Sequence, residues 1–365
     1  MPTPYQLDFF DALKNYFVLK VIYFTSREND RQWELNSEGK GYYVKVLKNS
    51  RIAKLIQKKI SSFHFSYEIF SVLRRDDADY VLINGTYWSP NVVIALIRSF
   101  GNKKRVCFWG EPVFPVNSKL RAAIKKVLLW PVRKRTHFLL AIGKKAEDCY
   151  RFYGYKKKIY NIPYNINIDF FSPENLDKKI LQNLINQYKS AGQTIFLTSG
   201  SLIFRKGMDV IIRAFQLLPE DQKIKLLIIG DGPERENLTA MTTNDDRISF
   251  VGFQEKEMIP YWFNLADIFV FASRYDGWGL IINEAVAASL PVICSKEVGA
   301  AEDKLINNYS AILVEPDDVS GFAHAMRKLL LDGEFRKTMI DNAKKVRTEF
   351  SSEYNARKLY EIYST

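Results

Sequence analysis

Two carboxylates eight residues apart, with a glycine-bearing loop between them, offer the most specific chemistry in this sequence. In Arg274-Tyr275-Asp276-Gly277-Trp278-Gly279-Leu280-Ile281-Ile282-Asn283-Glu284, Asp276 precedes a helical pattern and Glu284 lies inside it, beside Ile281, Ile282, Ala285, Val286 and Ala288. A carboxylate in such apolar company needs a partner, because an uncompensated buried charge costs several kcal/mol. The vicinal hydroxyls of a ribose supply two donors to one carboxylate. A neighbouring Arg or Lys, or a place on the helix's exposed stripe, would satisfy Glu284 equally. The amides of Gly277, Gly279 and Leu280 open the same helix, a position suited to phosphate.

A second cluster is cationic. Arg205 and Lys206 follow the apolar run 194–198 in Ser201-Leu202-Ile203-Phe204-Arg205-Lys206-Gly207, ahead of a helix with Ile211, Ile212, Phe215 and Leu218 on one face. Two cations carried from a strand end to a helix start suit an anionic phosphate, Arg as a fork and Lys as a point charge; a solvated turn has the same composition. Gly230, in Gly230-Asp231-Gly232-Pro233, marks a tight turn where backbone can approach a ligand. Phe253 follows the run 248–252, where it walls a base pocket or merely ends a strand. Upstream, Glu111 in Trp109-Gly110-Glu111-Pro112 closes another strand, a place where ligands gather in doubly wound sheets; capping the next helix is the alternative.

Short β-branched runs alternating with helical patterns must position these residues. Strands are expected at 18–24, 42–47, 80–83, 105–109, 138–142, 194–198, 225–229, 268–272 and 291–294. Such alternation predicts an α/β chain of βαβ units with parallel sheets. Residues 1–165 form one expected domain, 166–192 a Pro- and Asn-containing connector, 193–350 a second domain and 351–365 a last helix. The helical pattern Leu7, Phe10, Leu13, Phe17 begins almost at once, so the first sheet is expected to be short of its leading strand. A misassigned or truncated start accounts for that better than a lost central strand, which would leave its neighbours' backbone groups unpaired.

With 365 residues, 47% of them hydrophobic, the chain can bury two cores, which excludes global disorder. Three scattered cysteines and three scattered histidines give neither a disulfide framework nor a metal-ligand spacing, so no metal or cofactor is expected. No run approaches the length of a membrane span and the start lacks a signal-peptide pattern, which gives a cytoplasmic expectation, with a place on the membrane's inner face open. Residues 1–170 hold 30 Lys and Arg against 14 Asp and Glu, whereas 171–365 hold 23 against 27. The basic excess is densest at 119–135, where Lys119, Arg121, Lys125, Lys126, Arg133, Lys134 and Arg135 interleave with Leu120, Ile124, Val127, Leu128, Leu129 and Trp130. Such a segment fits an anionic membrane surface; a helix with a core-facing apolar stripe has the same pattern. No nucleic-acid module accompanies it.

The second half resembles the donor-binding domain of retaining GT-B glycosyltransferases of the family four type, glycosyl transferases group 1. Asp276 and Glu284 match that family's pair of acidic residues eight apart, with Asp in place of the more usual first Glu. The resemblance implies two Rossmann-like domains facing a cleft, a nucleotide-sugar donor on the second, and a glycan or lipid-linked acceptor on the first. It implies that Glu284 holds the ribose hydroxyls and that Asp276 meets the transferred sugar. Arg205 and Lys206 would neutralise the departing diphosphate, with the Gly279 and Leu280 amides in support. Ser201 stands where the family commonly has Arg. From the first domain, Glu111 takes the place of a polar residue, often His, that faces the reacting sugar. The expected reaction is sugar transfer with retention in bacterial polysaccharide assembly. A nucleotide-sugar epimerase or hydrolase, and a non-catalytic partner at the membrane, are the alternatives.

Overall fold

The computed structural model describes residues 4–25, 40–101 and 104–364. The chain divides into two compact units, Met1–Tyr164 with Ser352–Thr365, and Asn165–Ser351.

In the first unit, β1 (Lys20–Tyr23) and β2 (Tyr43–Val46) make a parallel pair. A separate parallel sheet holds β3 (Tyr80–Asn84), β4 (Arg105–Gly110), β5 (Phe138–Ala141) and β6 (Ile159–Asn161) in that order. Helix Pro4–Leu13 lies across both pieces. Phe10 meets Tyr23 of β1 at 6.3 Å between ring centres, and Phe9 meets Trp109 of β4 at 5.3 Å. Gln6 Nε2 donates to Asn84 Oδ1 at the end of β3 (3.3 Å), while Phe17, beyond the helix's other end, packs on Tyr80 at the start of β3 (6.3 Å). The helix thus runs antiparallel to β3, as a crossover helix does in a βαβ unit. No described strand precedes it, and among the described residues no backbone ladder joins β1 to β3.

The core of this unit sets Val106 and Phe108 of β4 and Leu139 of β5 against Val92, Leu96, Val132 and Tyr150. Helix Ser352–Ser364 packs here too: Tyr363 is buried against Tyr80 (4.3 Å) and Phe138 (5.4 Å), and its carbonyl accepts from Arg105 Nη1 (3.0 Å).

The second unit is one parallel sheet of β7 (Thr194–Ser199), β8 (Ile224–Ile229), β9 (Ile248–Gly252), β10 (Ile268–Phe271), β11 (Val292–Ser295) and β12 (Ala311–Val314), ordered β12-β11-β10-β7-β8-β9. Helices cover both faces, which is why β7, β8, β10 and β11 read as continuous apolar runs rather than alternating ones. Phe196, Leu226, Ile228 and Val270 meet Ile211, Phe215, Phe322 and Met326 in its core.

Residues 166–192 are not a connector but part of this unit. Helix Lys178–Tyr188 packs on helix Ile259–Leu265, Tyr188 lying 4.9 Å from Trp262, and Phe171 lies 5.8 Å from Phe263. The Pro and Asp that give the segment its loop-like composition are structural: Pro173 opens a 3-10 turn, and Asp177 Oδ1 caps the helix by accepting from Lys179 N (2.8 Å).

Candidate active site at the switch of the second sheet

Strand order in the second unit reverses between β7 and β10, the position where an open α/β sheet leaves a crevice outside its carboxyl ends. The loops leaving these two strands carry Arg205, Lys206 and Asp276. Arg205 Nη1 lies 3.1 Å and Lys206 Nζ 2.6 Å from the same oxygen, Asp276 Oδ2. Arg205 Nη1 also donates to the Tyr275 carbonyl (2.9 Å), with its guanidinium 5.3 Å from the Tyr275 ring centre. Burial acts to raise the Asp276 carboxyl, but Lys206 and Arg205 outweigh it and hold the group below its ordinary value of 3.8.

The cation loop is built tightly. After β7, Phe204–Lys206 forms a single 3-10 turn, and Gly207 at φ 66° starts helix Met208–Gln216. A Cβ on Gly207 would lie 2.0 Å from the Ala272 carbonyl oxygen, so only glycine lets this turn sit on the end of β10. A Cβ on Gly230 would meet the Gly200 carbonyl oxygen at 2.0 Å, which makes Gly230 the close-packed support of the loop after β7.

Arg274 joins the two loops, a role that sequence reading missed. Its Nη1 donates to the Phe204 carbonyl and to Asp209 Oδ1 (3.0 Å), its Nη2 reaches Asp209 Oδ2 (2.9 Å) and Asp317 Oδ1 (2.8 Å), and its guanidinium stacks 3.8 Å from the Phe204 ring centre. Arg274 N and Ser273 Oγ both reach the Arg205 carbonyl, at 2.9 Å and 3.1 Å.

The acidic loop is clamped from behind. Asp276 N donates to Glu297 O (3.1 Å), Gly299 N to Asp276 O (3.1 Å) and Ala300 N to Trp278 O (2.7 Å). Gly279 takes φ 83°, and Leu280 precedes the short helix Ile281–Ala287. In that helix Glu284 is 3% exposed and Ile282–Ala287 are all buried, so the carboxylate is inside the fold and not on a solvent stripe. Ser201 and Phe253 are exposed, Phe253 at the end of β9 and Ser201 just past Gly200. Gly277 stands beside Asp276, its carbonyl pressed against Gly299.

Glu111 belongs to the first unit, exposed at the end of β4, where its Oε1 accepts from Tyr164 Oη (2.5 Å). It caps no helix: the next one, Lys119–Leu128, starts after Ser118, whose Oγ accepts from Arg121 N (3.4 Å).

Two parallel-sheet, Rossmann-like units, the second with cations and a carboxylate meeting at its switch, have the GT-B fold. Residues 182–346 match the family model described as Glycosyl transferases group 1, which places this part of the chain among retaining glycosyltransferases that use nucleotide-sugar donors. The chain is 25% identical over 276 residues to the N-acetylgalactosamine-N,N'-diacetylbacillosaminyl-diphospho-undecaprenol 4-alpha-N-acetylgalactosaminyltransferase of Campylobacter jejuni, covering 73% of this chain and 71% of that protein. It is 27% identical over 160 residues to O-antigen chain mannosyltransferase B of Escherichia coli, covering 42% of this chain and 41% of that protein. In fold it is similar to Anabaena HepE, solved in complex with UDP and glucose, with a TM-score of 0.75 and 17% identity over 100% of this chain and 96% of that one.

Proposed function

We propose that the chain transfers a hexose or related sugar from a nucleoside diphosphate to a glycan or lipid-linked acceptor, in the assembly of a bacterial surface polysaccharide. The convergence of Arg205, Lys206 and Asp276 at the switch of the second sheet, with the buried Glu284 on the helix that follows the Asp276 loop, carries this reading. The Campylobacter and Escherichia relatives, one named for a diphospho-undecaprenol-linked saccharide and one for an O-antigen chain, support the acceptor class.

In this reading Glu284 accepts from the ribose hydroxyls. Arg205 and Lys206 take the diphosphate, with the Gly277, Gly279 and Leu280 amides in support, so that protein cations do the neutralising. The bond from the anomeric carbon to the phosphate oxygen breaks while the acceptor oxygen attacks from the same face. The acceptor's proton passes to the departing phosphate, so atoms and charge balance without a protein nucleophile. Fixed cations aimed at the developing negative charge supply the main rate enhancement. Asp276 orients hydroxyls of the transferred sugar, and Glu111 of the first unit serves the acceptor hydroxyl. Ser201, Gly230 and Phe253 line the donor's side.

Thermal shift with UDP and with GDP, run beside Glu284→Ala, tests the donor site. A shift with one nucleotide that vanishes in the variant is expected, followed by acceptor-dependent release of that nucleotide. Turnover without acceptor, or an inverted product by NMR, would overturn the reaction proposed.

A further inference from the structure

Helix Lys119–Leu128 of the first unit faces its apolar side outward. None of its residues is buried. Leu120, Ile124, Val127 and Leu128, spaced to form one stripe, are 72%, 50%, 72% and 41% exposed. Lys125 is half-buried instead, its Nζ donating to the Phe114 carbonyl (2.8 Å), and Ala122 is half-buried with it. Lys119, Arg121 and Lys126 are exposed and lie to either side of the stripe.

The segment is well anchored. Leu129 and Val132 are fully buried in the core, which removes Leu129 from the group of interleaved apolar residues that the sequence suggested. Trp130, 42% exposed, continues the apolar edge, with the Arg135 guanidinium 5.4 Å from its ring centre. Residues 112–146 contain nine Lys and Arg and no Asp or Glu.

We propose that this helix docks on the surface of an anionic lipid bilayer. It lies in the interface plane, with Leu120, Ile124, Val127 and Leu128 at the acyl boundary and Lys119, Arg121 and Lys126 against headgroup phosphates. Charge decides among possible occupants. A second copy offering the same face would bring two acid-free cationic segments together, and a nucleic acid would leave the aliphatic stripe in water. A bilayer with anionic headgroups satisfies both the stripe and its flanks. No described helix is long and apolar enough to cross a membrane, so contact through this helix is peripheral. The proposal goes beyond the donor and acceptor reading and is tested without turnover.

Flotation of the full chain with phosphatidylcholine vesicles, with and without phosphatidylglycerol, is the experiment. Binding is expected only with phosphatidylglycerol present, and Lys119→Gln and Lys126→Gln should each weaken it about fivefold at low salt. Leu120→Ser with Val127→Ser should weaken it at least about tenfold at every salt concentration, because the apolar contribution is unscreened. All four side chains are exposed, so an unchanged melting temperature confirms that the variants are folded. The proposal fails if phosphatidylglycerol vesicles do not bind the protein, or if the double serine variant binds as well as the parent. It fails equally if light scattering shows a dimer that the serine variant dissolves.

Discussion

Asp276 carries two cations on one carboxylate oxygen. A diphosphate entering the same loops must share Arg205 and Lys206 with that carboxylate, so the carboxylate competes with the leaving group while serving the sugar. Asp276→Asn should therefore bind the bare nucleoside diphosphate more tightly, by about 1 kcal/mol or fivefold for a partly screened pair, and should transfer sugar more slowly. Calorimetric titration with the nucleotide and steady-state turnover read the two effects separately. Weaker nucleotide binding would mean that Asp276 holds the cations in place instead of competing for them. At this scale sequence reading located the chemistry, because acid spacing and an Arg-Lys pair at a strand end are local signals. It could not show that Asp276 and the cations share one oxygen, since 70 residues separate Lys206 from Asp276.

At the scale of elements, the site depends on two loops held in register by Arg274. That side chain is 13% exposed and pairs with Asp209 and Asp317 while stacking on Phe204, so Arg274→Ala leaves half-buried Asp209 with Arg213 alone and unfastens the two loops from each other. A loss of about 2 kcal/mol in urea unfolding is expected, with a larger loss in kcat than a purely structural change of that size would cause. Arg274→Lys should recover little, because a point charge replaces neither the bidentate fork nor the stacked plane. The sequence placed Arg274 in the motif but gave no hint of its partners, 65 and 43 positions away. The outward apolar face of helix Lys119–Leu128 was unreadable for a different reason: periodicity shows that a helix has two faces, not which one meets the core.

For the whole molecule, nine strands were legible as apolar runs and all nine are present; of the three others, β6 is only 3 residues long, and β9 and β12 were not among the expected strands. Segment 166–192 misled because helix caps and linkers share Pro, Asn and Asp. Acid sensitivity is a property of the whole as well. Asp276 and Asp209 are half-buried yet held below their ordinary 3.8 by Lys206 with Arg205 and by Arg274 with Arg213, and Asp245 is lowered by its hydrogen bond to Arg247. A carboxyl depressed in the folded state stabilises fully above its unfolded value and loses that contribution as pH falls through the folded one. The melting temperature should thus hold from neutral pH to about pH 4 and fall steeply below it, less steeply in Asp276→Asn, as calorimetry across that range would show.

The interrupted ladder of the first unit also sets a hierarchy of opening. Among the described residues β1 and β2 bond to each other but not to β3, and contacts such as Phe10 on Tyr23 and the Lys20–Asp77 ion pair tie them to the rest through side chains. A pair fastened in that way can detach at a free energy below that of global unfolding. Native-state hydrogen exchange should find the β1 and β2 amides exchanging by sub-global opening, and those of β4 and β5 only when the whole unit unfolds. The first unit would then come apart in two cooperative steps, whereas the continuous sheet of the second would do so in one.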